Sequence, residues 1–128
     1  MIEPLFLTAE DAVRFHEDLV RRYGGHPGVR DVKALESAIQ QSRATFDGEY
    51  LHADLWAMAA AYLFHIVRNH PFVDGNKRTG IYAALAFLEI NGVEVVADPV
   101  ELAGFVLQVA QGRISKSQIA EFLQSKTR

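Results

Sequence analysis

Asp54-Leu55-Trp56-Ala57-Met58-Ala59-Ala60-Ala61-Tyr62-Leu63-Phe64-His65-Ile66-Val67 is the stretch that decides the fold. Asp54 reads as an N-cap, and the residues after it are apolar almost all the way round at helical spacing. A helix of that kind needs cover on most of its sides, so it belongs at the centre of the molecule. It is too short to span a bilayer, and His65 interrupts it. His70-Pro71 ends it, because a proline disfavours helical backbone in the residue before it. After a loop, Lys77 to Ile90 repeats the pattern with Ala83, Ala84, Leu85, Ala86, Phe87 and Leu88, closed by Asn91-Gly92. Two small-residue-rich helices in succession predict an all-α domain built around the pair.

Upstream, Thr8 caps a helix with Glu10 and Asp11 in its first turn, the sign that suits a positive helix end. Ala12, Phe15, Leu19 and Val20 recur on one face until Gly24-Gly25. Past the Gly25-His26-Pro27-Gly28 turn, Asp31 caps a helix carrying Val32, Leu35, Ala38 and Ile39. Asp47-Gly48, between Phe46 and Tyr50, predicts a loop or hairpin. Downstream, Val93 to Val96 is the strand candidate, with Leu5-Phe6-Leu7 as its prospective partner. Helices from Val100 to Gln111 and from Ser117 to Leu123 complete the chain. With no repeat or low-complexity linker, residues 1–128 read as a single compact helical domain with a minor β element.

Composition narrows the function classes. Thirteen Lys+Arg against sixteen Asp+Glu give a net charge of −3 over 128 residues, which argues against a broad nucleic-acid footprint. Hydrophobic residues at 49% exclude a disordered tail, and charged residues at 23% exclude a membrane-embedded chain. The absence of cysteine removes disulfides and thiolate metal sites. Met1-Ile2-Glu3-Pro4 has no basic or apolar signal-peptide character, so the expected location is the cytoplasm.

The loop between the central helices, His70-Pro71-Phe72-Val73-Asp74-Gly75-Asn76-Lys77-Arg78-Thr79, carries the chemistry. It is held at both ends by rigid supports. Gly75-Asn76 tolerates positive φ and close backbone approach. Lys77 and Arg78 then open a helix whose dipole end is already positive, and that costs stability unless an anion lies over the free N–H groups. Glycine, free amides and two cations at a helix start describe an anion pocket, most naturally for phosphates. Asp74 is the lone negative group there, a sensible ligand for the Mg²⁺ that accompanies a nucleotide. His70 can exchange a proton near neutral pH. Taken singly, each piece is also an ordinary turn, helix end or solvated surface; their conjunction is what points to a site.

The string resembles the signature of the Fic/Doc family, H-x-F-x-[D/E]-G-N-x-R, at His70, Phe72, Asp74, Gly75, Asn76 and Arg78. Gly28-Val29-Arg30-Asp31, Leu35-Glu36-Ser37-Ala38 and Ala60-Tyr62-Phe64-His65-Arg68-Asn69 extend the likeness to the Doc branch, the death-on-curing toxins, over roughly Leu5 to Ala97. Two departures from the adenylylating members point the same way. Lys77 stands where they carry glycine, and Ile81 where they carry a second arginine.

The resemblance implies an enzyme that moves the γ-phosphate of ATP, with Mg²⁺, to a Ser or Thr hydroxyl of a target protein, expected to be elongation factor Tu. It implies His70 as the general base and Asp74 as the metal ligand. Gly75, Asn76, Lys77 and Arg78 would form the phosphate cradle, with Arg68 either reaching the phosphates or staying at the surface. Phe72 would be a core anchor, and Thr45 to Leu51 a flap that docks the target as an added strand. The family's inhibitory [S/T]-x-x-x-E-[G/N] helix is not matched, because Phe122 follows Ser117-Gln118-Ile119-Ala120-Glu121. Control is therefore expected from a separate antitoxin whose C-terminal segment folds into a groove. The other readings are a nucleotidyltransferase on the same scaffold and a non-catalytic binding module. A DNA-binding helical protein is disfavoured by the charge, and a His/Asp metal hydrolase would need more ligands than the loop supplies. His65 reads as a satisfied core histidine, while His16, His26 and His52 fall on inferred surface segments without a role.

Overall fold

Helix starts are written into this chain one by one. In the computed structural model, which describes residues 3–128, Thr8 opens α1 (Ala9–Tyr23) with a full capping box: its hydroxyl accepts from the Asp11 amide and the Asp11 carboxylate from the Thr8 amide. Asp31 caps α2 (Val32–Gln40) and Asp54 caps α3 (Leu55–Asn69), each through the amide three residues on. Asp98 caps α5 (Pro99–Ala110), where proline fills the first turn. Ser115 caps α6 (Lys116–Ser125) with a second capping box from Gln118. The helix between them, α4 (Asn76–Ile90), starts on Gly75 and has no side-chain cap.

α3 lies at the centre, as its all-round apolar sequence predicts. Met58 to Leu63 and Ile66 are buried, and α2, α4, α5 and α6 all pack on it. The α3–α4 pair comes close because its interface is built of small residues. A Cβ on Gly80 would lie 3.1 Å from Leu63 Cδ1 and 3.4 Å from the Leu63 carbonyl, tighter than side chains normally sit. Phe87 of α4 closes the core, its ring 5.2 Å from that of Tyr62 and 5.8 Å from that of Phe6.

The minor β element is an antiparallel hairpin of β1 (Thr45–Phe46) and β2 (Glu49–Tyr50). Asp47 and Gly48 both take positive φ, at 53° and 81°, as a tight two-residue turn requires. The expected pairing of Val93–Val96 with Leu5–Leu7 does not occur. Val95 bridges Thr127 instead, and the Val96 amide donates to Lys126. The N-terminal segment is held by side chains: Asn91 bonds both the amide and the carbonyl of Leu5, and the Tyr62 hydroxyl accepts from the Leu7 amide. With its backbone thus occupied, the segment has no need of a strand partner. Among the described residues, no helix is long and apolar enough to cross a membrane.

Candidate active site

α3 ends on His70, which adopts a left-handed conformation at φ 51°, ψ 54°. A non-glycine residue pays for that conformation, and one preceding proline pays more. Arg30 holds it in place: its guanidinium donates to the carbonyls of His70 at 2.8 Å and Asn69 at 3.1 Å, closing the negative end of α3 with a cation. The segment before α2 supports the rest of the loop. The Arg30 and Asp31 amides donate to Pro71, the Val73 amide donates to Gly28, and Val29 bridges Phe72.

Phe72 is fully buried, the core anchor expected of it. Asn76 clamps it, accepting from the Phe72 amide and donating to the Phe72 carbonyl, both at 3.0 Å. The Asn76 side chain is thus committed to shaping the loop, which leaves its backbone amide at the open start of α4. His16 approaches from α1 with its ring 4.0 Å from that of Phe72 and within 9° of parallel, and its Nε2 lies 2.7 Å from the Asp74 carbonyl. The inferred surface position of His16 is thus corrected: only 2% of it is exposed. Its place among Ala12 and Leu19 on the inner face of α1 was the sequence signal that could have revealed it.

The Asp74 carboxylate accepts from the Gly75 amide at 2.9 Å and from the His26 amide at 3.2 Å. These two backbone donors are the main reason its acidity is strengthened, so the group is ionised throughout the neutral range. Gly25 makes room for this, since a Cβ there would stand 2.9 Å from Asp74 Oδ2. Gly75 follows with φ 77°, and the first helical bond of α4 runs from the Thr79 amide to the Gly75 carbonyl. The amides of Asn76, Lys77 and Arg78 are left without an intrahelical acceptor. Thr79, in the same turn, has a buried hydroxyl with no partner among the described residues.

His70, Asp74, Gly75, Asn76, Lys77 and Arg78 all line one cleft of about 670 Å³. Its apolar walls come from Leu19, Val20 and Tyr23 of α1 and from Leu102, Val106 and Ala110 of α5. Lys77 and Arg78 are exposed, and neither enters a salt bridge among the described residues. The Arg78 guanidinium stacks on the Tyr23 ring at 4.8 Å. The cleft thus joins an ionised carboxylate, a free imidazole, two unpaired cations and three open amides.

The model of the Fic/DOC family matches residues 6–88 of this sequence. The chain belongs to the Fic/DOC family. It is 38% identical over 118 residues to the protein kinase doc of Escherichia phage P1, covering 92% of each chain. It is also 47% identical over 76 residues to toxin Doc of Mycolicibacterium smegmatis, covering 59% of this chain and 58% of that one. These relatives place it in the Doc branch. Both departures from the adenylylating signature, Lys77 and Ile81, lie on the cleft wall.

Of the two places open to Arg68, the structure has the surface one. Arg68 is not among the residues lining the cleft, and its guanidinium sits 5.5 Å from the Phe64 ring. Helical spacing explains this: two residues before His70 is more than half a turn away. Lys116 flanks the same ring at 5.7 Å, and its Nζ lies 3.2 Å from His65 Nε2. Burial first, then the Lys116 charge, hold His65 down to about 4, so it is a neutral acceptor at pH 7. His52, half-buried nearby, has a buried Nε2 without a partner among the described residues.

Proposed function

We propose that this chain is a toxin kinase of the Doc type, which transfers the γ-phosphate of ATP to a Ser or Thr hydroxyl of a target protein. The carrying observation is the start of α4, uncapped and doubly cationic, opening into the same cleft as His70 and Asp74. A helix terminus with three open amides and two unpaired cations is suited to a polyphosphate. The phage P1 relative, a protein kinase, supports the same reading.

The geometry supports the roles that the resemblance implies. His70, with no hydrogen-bond partner on its ring among the described residues, takes the proton from the incoming hydroxyl. The hydroxyl oxygen attacks the γ-phosphorus as the bond to the β-phosphate oxygen breaks, and ADP leaves. Lys77, Arg78 and the Asn76–Arg78 amides neutralise the charge that builds on the phosphoryl oxygens. Lys77, where a glycine would admit closer approach, fills space and adds charge, which favours presenting the γ-phosphate to the acceptor.

Asp74 fits Mg²⁺: it is ionised, oriented by two backbone amides and exposed to the cleft. Among the described residues, no group of three or more His, Asp or Glu side chains could hold a metal by protein ligands alone. Asp74 would hold a Mg²⁺ that accompanies the nucleotide, and the ion would supply neutralisation of phosphate charge.

The proposed target is elongation factor Tu, whose modification would stop translation. The exposed hairpin of β1 and β2 provides a short strand edge for docking it. The proposed restraint is a cognate antitoxin whose C-terminal segment folds into a groove of this protein, for which the apolar walls of the cleft are suited. Incubation with ATP labelled at the α- or γ-position and purified elongation factor Tu tests the assignment. γ-Label on the factor, abolished by His70→Ala, is expected. Transfer of α-label alone would make the protein a nucleotidyltransferase, and equal toxicity of wild type and His70→Ala would make it a binding module.

A further inference from the structure

We infer that His16 is a positioning residue for the phosphate site: it pins the Asp74–Gly75 peptide, so that the Asp74 carboxylate and the amides opening α4 face the cleft. The inference rests on the proposed phosphate-transfer reading for its kinetic consequences, but not for its structural ones.

A carbonyl oxygen only accepts, so the 2.7 Å contact to Asp74 requires the proton to sit on His16 Nε2. The bond acts where the loop is weakest. Gly75, at φ 77°, lets the preceding peptide rotate with little steric resistance. That peptide is gripped at both ends, its carbonyl by His16 and its N–H by Asp74 Oδ1 at 2.9 Å. Rotating it would turn a carbonyl toward the phosphates and swing the carboxylate off the His26 amide.

The imidazole is itself immobilised, buried on α1 and stacked on Phe72, whose backbone Asn76 holds. Space at Gly75 is not what His16 controls, since a Cβ there would be 3.6 Å from Nε2, an ordinary contact. The polar bond is therefore the feature to test. A histidine serving only as core filling could be replaced by any flat side chain of similar size; a positioning histidine needs its donor.

Three variants separate these roles. His16→Phe keeps the stack and loses the donor. His16→Gln places an amide N–H where Nε2 was, and His16→Asn carries an amide too short to reach. His16→Phe and His16→Asn are expected to lower kcat by about 10–100-fold, the range typical of lost outer hydrogen-bond partners, with KM for the protein acceptor little changed. His16→Gln should recover most of that loss.

Two readouts do not depend on transfer. Long-range ¹H–¹⁵N spectra of the wild type should show His16 protonated at Nε2. The Gly75 and Asn76 amide signals should move in His16→Phe and return in His16→Gln. A ring protonated at Nδ1 alone, or loop amides and kcat unchanged in His16→Phe, would overturn the inference. An inactive wild type with these spectral effects intact would instead count against the kinase reading alone.

Discussion

The starts of α1 and α4 are built on opposite plans. At α1, Thr8 and Asp11 satisfy each other's amides, and Glu10 and Asp11 give the dipole the negative charge it favours. At α4, a left-handed glycine replaces the cap, no acid lies in the first turn, and Lys77 and Arg78 add positive charge to a positive end. Both helices are 15 residues long and both carry the core, so the contrast does not reflect how much each element matters to the fold. The start of α1 is satisfied by its own side chains, whereas the start of α4 is left open, as the proposed polyphosphate site requires.

The largest effect that contrast predicts is chemical. His70→Ala should reduce phosphoryl transfer by about 10²–10⁴-fold, the usual worth of a general base, while ATP affinity measured by calorimetry stays close to wild type. Loss of binding in step with transfer would show that the histidine builds the cradle instead of acting on its contents. Next in size, Lys77→Glu with Arg78→Glu should weaken ATP binding by at least about tenfold, since charge-assisted phosphate contacts are worth roughly 1.5–3 kcal/mol each. The same variant should melt higher than wild type when unliganded. Acids at a helix start contribute about 0.3–1 kcal/mol each, or a few degrees for a domain of this size. Opposite movement of stability and affinity would mark α4 as unfinished by design, and a drop in both would break the comparison.

Acid provides a reference remote from both helix starts. Because burial holds His65 down to about 4, the folded state binds this proton less readily than the unfolded chain, whose histidine titrates near 6.5. Stability is therefore complete above pH 6.5 and declines as pH falls toward 4. The melting temperature should drop between pH 7.5 and pH 5, equally in wild type and in the charge-reversed variant, with a shallower slope in His65→Phe. The smallest effect belongs to the finished end. Thr8→Ala should cost about 1 kcal/mol in chemical denaturation and leave ATP affinity and transfer unchanged.

Much of this was legible in the sequence, because caps and periodicity are local properties. Thr8, Asp31 and Asp54 each mark a helix start, and Asp47-Gly48 marks the hairpin turn. The all-round apolar run from Leu55 locates the centre of the fold. The loop at His70–Arg78 was legible as a unit, since its glycine and its charges of the wrong sign conflict with ordinary helix rules. What escaped reading depends on contacts between distant segments. Helical spacing puts His16 on the inner face of α1, but its partner becomes visible only when α1 is laid against Phe72, 56 positions away in sequence. Arg30 closes α3 from a turn before α2, and nothing in its neighbourhood announces that. Val95 pairs with the C-terminal end because Asn91 and Tyr62 had already occupied the N-terminal segment. Proximity in sequence leaves Arg68 open to either role, and helical spacing decides for the surface.

The central claim is that the bare start of α4 receives a polyphosphate. A titration of the ¹⁵N-labelled protein with MgATP, followed at the backbone amides, tests it most directly. Saturable shifts of Asn76, Lys77 and Arg78, with the amides at the start of α1 unmoved, are the predicted result. ATP that binds while those three signals stay in place, or that does not bind at all, would contradict it.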